Sequence, residues 1–544
     1  MDTGFTIERY RYDGREWFHR HPTGTVAMRV FRMSFATMAR PACILVFVLT
    51  PVTVVSLLLA VHSATLLNCC PIFNDEIHYW NEIDCFAAAG FNGGYFVPDE
   101  HAAPARRLHF GPHGPGFPVV YGSLAKLLGW YPASGPVFHL IVLALASAFW
   151  LWSCRPDTDR LLTGIFLLAT FWPCILYLPS TMQEGLHCAI AFLLAALAHR
   201  SVNTSTPAGR TACFFLPAVA AASIVRLTWV LVLIPWACVA LGHARRRTRW
   251  LILGVVACGI PALVVFNRWS CAPYPNFASK LVETARSSPE RAFEGLVARG
   301  RHALAMYFAL NAGDSLLVVQ RYLVAALILV CLIRSVCPGT RGGRPYFFVA
   351  MNLALVTGLM IALYDLADGR DCRVVAPHLL MSVLVLLSGS AFRWVLGVAA
   401  IHLVFVSPFL QVFASIHEER FSCQASEMTK NQENLLPYLP YDAHASPWGN
   451  TLLVSLNGED SPPVTVPSGI GISYVVDEST IELPLKSRYI LPWRARAQPS
   501  VLARARLRRL SSTPLGVIYE NLDFDAGSAS KAASQSPKPA GSGG

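Results

Sequence analysis

Residues 41–63 read PACILVFVLTPVTVVSLLLAVHS, with no Asp, Glu, Lys or Arg among them. Wound into a helix at roughly 1.5 Å per residue, such a stretch crosses the ~30 Å hydrocarbon layer of a bilayer. With a window of about 19 residues, blocks of the same kind recur at 136–154, 160–178, 184–200, 209–225, 227–243, 249–266, 318–337, 345–365, 374–390 and 393–413. The whole chain agrees with its blocks. Of 544 residues 54% are hydrophobic and 14% charged, with mean hydropathy +0.44. A soluble globular protein carries about 25% charged residues, so an ordinary soluble enzyme is excluded, as are a disordered chain, a disulfide scaffold and a collagen-like repeat. The 15 Cys are at ordinary density, and many lie inside the apolar blocks as small hydrophobes. The expected fold is an all-α polytopic membrane protein of about eleven transmembrane helices.

The formal charge of +11 would suggest nucleic acid in a soluble domain, but here the excess flanks the apolar blocks. The segment 1–40 carries Arg9, Arg11, Arg15, Arg20, Arg29, Arg32 and Arg40. Alternate loops then carry Arg155 and Arg160, Arg200 and Arg210, Arg245 to Arg249, and Arg334, Arg341 and Arg344. Arginine on every second loop is the positive-inside pattern and puts the N-terminal segment in the cytoplasm. The loop 64–135 falls on the opposite face, with Asp75, Glu76, Glu82, Asp84, Asp99 and Glu100 against Arg106, Arg107 and Lys126. An odd number of spans places the tail from 414 outside as well. Its β-rich stretches, 451–456, 470–476, 481–485 and 517–519, predict a small β-containing extracytoplasmic domain over 414–525. The Ser, Ala, Pro and Gly of 526–544 predict a disordered end. Arg494, Arg496, Arg504, Arg506, Arg508 and Arg509 sit awkwardly on an outer face, although long domains escape the charge rule.

Polar residues of an unusual kind gather on that outer face. Asp75 and Glu76 open the run Asn74-Asp75-Glu76-Ile77-His78-Tyr79-Trp80, and His113 sits in Gly111-Pro112-His113-Gly114-Pro115. Glu184 ends Ser180-Thr181-Met182-Gln183-Glu184, and Arg226 joins two blocks in Ser223-Ile224-Val225-Arg226-Leu227-Thr228. Asp365, Asp368, Arg370, Asp371 and Arg373 fill the short loop before the tenth block. Ionisable groups near membrane depth are costly, and serve a site or pair with one another. Each has a plainer reading: loop charges for the two acids, an ion pair for Glu184 with Arg226, a turn for His113, headgroup contact for Arg370 and Arg373. Cys69 or Cys70 could bridge to Cys85 or Cys423, a pairing that sequence leaves open. No Gly-rich phosphate loop or zinc-ligand spacing occurs, so no cofactor is indicated; a divalent cation is left open.

Order and spacing together say more. A cytoplasmic start, one span, an outer loop opening with Asp-Glu-x-x-Tyr, and a His-Gly-Pro turn before an amphipathic helix resemble the GT-C membrane glycosyltransferases. The protein O-mannosyltransferases and lipid A aminoarabinose transferases are the nearest look-alikes. Asp75 to Tyr79 matches their first acidic motif, and His113-Gly114-Pro115 their Pro-containing turn. Ser180 to Glu184 resembles their polar outer helix start. Arg226-Leu227-Thr228 is similar to their Arg-x-Thr step, and Arg370 to Pro377 to their late Arg-x-x-x-Pro segment. The likeness covers residues 41–400.

The resemblance implies a transferase that takes a sugar from a polyprenyl-phosphate donor to a glycan, lipid or protein acceptor. Endoplasmic reticulum and bacterial inner membrane both fit; the short loops, and Asn203-Thr204-Ser205 on an expected cytoplasmic loop, favour the bacterial inner membrane. It puts the catalytic base at Asp75, with Glu76 supporting the loop or pairing with an Arg. Tyr79, His113, Glu184, Arg226, Arg370 and Arg373 become substrate-binding candidates. The planar fork of Arg is suited to a lipid phosphate, and a carboxylate to the acceptor's proton. Nucleic acid is not among the expected partners. A transporter or flippase would instead place charges in mid-span, and a non-catalytic scaffold would use the tail as its interaction module. The loop pattern itself is testable: a reporter fused near residue 245 is expected to read cytoplasmic and one near residue 290 external. Equal readings would remove the common outer face.

Overall fold

The structure, a computed structural model, describes residues 24–72, 74–92, 96–97, 110–111, 113–203, 208–242, 246–271, 277–309, 315–337, 343–364, 366, 369–389 and 391–422. In the tail it describes 433–435, 437–439, 451–455, 464–465, 470–475, 484–485, 487–492 and 502–524. Outside these lie the arginines of 1–23, Asp99, Glu100, Arg106, Arg107, Arg245, Arg341, Asp365, Asp368, Cys423, Arg494, Arg496 and the segment 526–544, as do the side chains of Arg29, Arg32, Arg210 and Arg370.

All the apolar blocks are helical, but not all are single rods. The helices are α1 Gly24–Val61, α2 Asn74–Ala89, α3 Gly116–Leu128, α4 Ser134–Cys154, α5 Thr158–Thr170, α6 Trp172–Ile175, α7 Glu184–Val202, α8 Ala208–Val225 and α9 Leu233–Leu241. They continue with α10 Arg246–Ser270, α11 Phe277–Ser287, α12 Pro289–Tyr307, α13 Ser315–Val336, α14 Gly343–Leu363, α15 Arg370–Leu387, α16 Phe392–Val404 and α17 Val406–Ser422. Among the described residues six stretches are long and apolar enough to cross a bilayer: Arg40–Val61, α4, α7, Thr248–Ser270, α13 and α14. Proline accounts for two of the interruptions. Pro173 cannot donate to the carbonyl four residues back, and the block 160–178 breaks into α5 and α6 around Phe171. Pro408 does the same between α16 and α17, which meet at 60°. The block 227–243 begins as a 3-10 helix, Leu227–Val232, before α9.

Two helices form the centre. Helix α7 is buried along almost its whole length, and Ala189, Ala191, Ala195, Ala196 and Ala198 let α4 and α15 come close. Helix α15 is buried from Leu379 to Leu387. Hydrogen bonds tie the helices where apolar contact alone would leave register loose: Asn352 Nδ2 donates to Ser382 Oγ at 3.0 Å, and Trp236 Nε1 to Ser201 Oγ at 3.1 Å. The outer surface of the bundle exposes Leu45, Leu57, Leu145, Trp152, Phe214, Val265, Leu329 and Ile333. An apolar belt around a bundle of such helices is the surface of a membrane protein.

The tail is a small sheet. Its strands are β1 Phe96–Val97, β2 Glu433–Asn434, β3 Thr451–Ser455, β4 Val464–Thr465, β5 Gly471–Val475, β6 Tyr489–Pro492, β7 Leu507–Thr513 and β8 Gly516–Asn521. Six pair in the order β1-β5-β3-β6-β8-β7, parallel from β1 to β6 and antiparallel from β6 to β7. Strands β2 and β4 form a separate parallel pair. The expected strands at 451–456 and 470–476 are β3 and β5, 517–519 lies in β8, and most of 481–485 is outside the described residues. Strand β1 comes from the loop 64–135, so loop and tail share one sheet and one end of the bundle. The awkward arginines also find a place. Arg508 and Arg509 lie on edge strand β7, where charge blocks further pairing; Arg508 pairs with Glu520, and Arg506 with Asp523 at 3.4 Å. No disulfide joins Cys69 or Cys70 to Cys85; all three are buried thiols.

Glu76 ties this end together, turned away from Asp75 and paired with an arginine as one of the two expected readings had it. Its carboxylate is fully buried and accepts from Arg420 Nη1 and Nη2 at 2.8 Å each, from Thr181 N at 2.5 Å and from Ile72 N at 3.0 Å. Arg420 also donates to Cys70 O and to His417 Nδ1. One ion pair thus joins α2, the turn before α7 and the end of α17. Breaking a buried pair leaves an uncompensated charge, so Arg420→Met is expected to cost about 3–5 kcal/mol, part of it recovered by adding Glu76→Gln. Thermal unfolding in detergent measures both; a single variant as stable as the parent would contradict this role.

Candidate functional site

Neighbours in sequence diverge on a helix. Asp75 and Tyr79 stand four residues apart and share one face of α2, whereas Glu76 is turned about 100° away, towards Arg420. Tyr79 is buried, with its ring 5.0 Å from that of His113 and 5.3 Å from that of Phe117. His113 is presented by a turn only glycine permits. Gly114 has φ +81°, and a Cβ there would lie 2.8 Å from Cys271 Sγ. At Gly116 a Cβ would stand 2.5 Å from Val225 N and Cα, so the start of α3 is pressed against the end of α8.

That contact falls where Arg226 leaves the helix. Its backbone is extended, at φ −150° and ψ 122°, between α8 and the 3-10 turn. Its Nη2 donates to Glu184 Oε1 at 2.9 Å. The same oxygen accepts from Arg373 Nε at 3.2 Å, and Arg373 Nη1 reaches Asp75 Oδ2 at 3.7 Å. The Arg373 guanidinium also lies 5.7 Å from the centre of the Tyr177 ring. Asp75, Tyr79, His113, Glu184, Arg226 and Arg373 are therefore gathered at one end of the bundle from five separate segments. The side chain of Arg370 is outside the described residues, although its backbone begins α15: the expected short loop at 370–373 is a first helical turn, capped by Gly369 at φ +69°.

The two acids differ in what they can do. The Glu184 side chain is 3% exposed and holds both arginines, whereas that of Asp75 is 46% exposed and touches Arg373 only at ion-pair distance. Asp75 is the acid open to an incoming molecule. Burial holds the His113 imidazole below its ordinary value, against the pull of Asp75, and the nearby Arg226 and Arg373 push the same way as burial. Burial takes His78 down to about 4, again opposed by Asp75. Burial, with Asp75 and Glu184, raises the Tyr79 phenol well above its usual range. At neutral pH these two imidazoles and the phenol are therefore uncharged.

A second ion pair sets the first turn of α15. Arg321 Nε and Nη2 donate to Asp371 at 2.8 Å each, Nη2 also donates to Leu366 O at 2.7 Å, and Gln320 Nε2 donates to Cys372 O at 2.9 Å. Sequence reasoning passed over both Arg321 and Arg420. The available signal was a lone arginine in or beside an apolar block, which needs a partner at membrane depth. Among the described residues no group of three or more His, Cys, Asp or Glu is placed to hold a metal. A cavity of about 470 Å³ opens at the far end of α3, lined by Leu67, Leu128, Tyr131 and Ile141, and takes in none of the clustered charges.

No protein-family model matches the sequence, and no curated protein matches it either. The reading of the site rests on its geometry.

Lowered histidine values have a consequence for stability. Between about pH 6.5, the unfolded value, and about 4, the folded chain binds fewer protons at His78 than the unfolded chain, so stability falls as pH falls through that window. His113 acts in the same direction. The variant His78→Gln is expected to flatten the pH dependence of the melting temperature between pH 6.5 and 4. A parallel curve would show that His78 titrates alike in both states.

Proposed function

We propose that the protein is an integral-membrane glycosyltransferase with a GT-C-like bundle of about eleven spans. It moves a sugar from a polyprenyl-phosphate donor to an acceptor hydroxyl or amine, with inversion at the anomeric carbon. The observation that carries this reading is the convergence of Asp75, Glu184, Arg226 and Arg373, with Tyr79 and His113, at one end of an apolar bundle. A lipid-borne phosphate must stay at headgroup depth because its chain stays in hydrocarbon, and a paired set of guanidinium groups at a helix end suits it. Arg373 holds the phosphate, with Arg370 three residues earlier on the same helix as a second candidate, and Glu184 fixes Arg373 and Arg226. Asp75 takes the proton of the acceptor as it attacks. Glu76, committed to Arg420, carries no proton in this scheme.

The arginine-bearing loops 155–160 and 334–344 support a cytoplasmic opposite end, and with it a site, a loop 64–135 and a tail domain 414–525 on the outer face; the membrane we propose is a bacterial inner membrane. The shared sheet supports one side for loop and tail. A transporter would want its charges in mid-span and reachable from both faces; Arg321 is instead consumed by Asp371.

Asp75→Asn tests the reading. It is expected to leave expression and membrane insertion intact while lowering transfer from the lipid donor by about 10²–10⁴-fold. A loss under about tenfold would move the base to Asp84 or Glu184. Purified wild-type protein that transfers no sugar from any polyprenyl-phosphate donor would sink the proposal.

A further inference from the structure

At the inner side of the charged cluster, three buried polar atoms have no hydrogen-bond partner among the described residues: Glu184 Oε2, Arg226 Nη1 and His187 Nε2. Glu184 and His187 stand three residues apart on one face of α7, with His187 a turn deeper in the bundle. Both are more than nine-tenths buried, at 2% and 0% exposure. Arg226 is hydrogen-bonded to Glu184 at 2.9 Å, and Trp229, three residues further along the same segment, is bonded to His187. Trp229 Nε1 donates to His187 Nδ1 at 3.0 Å, so Nδ1 is the acceptor and Nε2 carries the N–H. Trp229 is itself stacked on His378, ring centres 4.2 Å apart, which fixes the imidazole from behind. The open positions are thus two N–H donors and one carboxylate acceptor. Leaving such groups unmade at this depth is expensive.

We propose that Glu184, His187 and Arg226 form a hydroxyl-recognising subsite that seats the ring of the transferred sugar. The donor and acceptor mix decides the ligand class. A phosphate oxygen only accepts, and would meet repulsion at Glu184 Oε2, whereas a hydroxyl donates to the carboxylate and accepts from an N–H. Vicinal ring hydroxyls satisfy all three positions together. Glu184 also bonds Arg373, which reaches Asp75 at 3.7 Å, so a ring held by Glu184 is next to the residues proposed for the donor phosphate and the acceptor proton. This inference rests on the transferase reading and adds His187 as a specificity residue.

The test uses full-length protein carrying Asp75→Asn, which prevents turnover. Binding is measured for undecaprenyl phosphate and for a panel of its esters with mannose, glucose, N-acetylglucosamine and 4-amino-4-deoxyarabinose. At least one ester is expected to bind more tightly than the bare phosphate. Adding His187→Leu is expected to weaken that ester about tenfold, the loss of one hydrogen bond to a buried group, and to change bare-phosphate affinity less than twofold. His187→Gln, which keeps an N–H donor, restores part of the loss and serves where the Leu variant folds poorly. Equal weakening of both lipids in each variant would make His187 a structural residue and overturn the subsite. Esters that bind no better than bare phosphate would overturn it too. If neither kind of lipid binds the parent protein, the transferase reading itself fails.

Discussion

One carboxylate oxygen, Oε1 of Glu184, accepts from both Arg226 and Arg373. The rest of the cleft depends on it. Glu184 heads α7, the central helix, and Arg373 lies in the first turn of α15, packed against it. Two guanidinium groups repel at close range unless an anion stands between them, and an anion so placed must be buried to keep its hold. The alanine-rich body of α7 brings α15 near enough for the bridge to form, so packing in the apolar core and charge at its rim are one arrangement.

The remaining ion pairs hold the parts that carry the site. Arg420 fixes Glu76, and therefore the angle at which α2 presents Asp75 and Tyr79. Arg321 fixes Asp371, two residues before Arg373. Each is bidentate and buried, the geometry in which removing one partner is costly. Among the described acids of this cluster Asp75 is the loosely held one, its side chain half exposed and Arg373 at 3.7 Å. A rigid frame around one open acid is the disposition that general-base chemistry requires.

Much of this was legible in the residues. The helical blocks follow from composition, and the residues from Asp75 to Arg373 could be assigned to one face because arginine marks the other. What escaped has common physical causes. The breaks at Pro173 and Pro408 interrupt blocks that hydropathy alone reads as continuous. Arg420 finds Glu76 across 344 residues, a pairing with no local pattern. Strand β1 has two residues inside a long polar loop, and β7 reads Leu-Arg-Arg-Leu, which resembles a flanking basic segment more than an edge strand. The divergence of Asp75 and Glu76 was available from the 100° step of a helix once that run was taken as helical.

The most direct measurement is the affinity of the Arg373→Lys protein for a polyprenyl-phosphate donor, set against the wild type. Lysine keeps the charge but loses the planar fork that reaches Glu184 and Asp75 together. If Arg373 holds the donor phosphate, affinity falls at unchanged net charge, and Arg373→Ala falls further, by about 2–5 kcal/mol. Wild-type affinity in the lysine variant would contradict the account, because a side chain that merely reaches the headgroups is replaced freely by Lys.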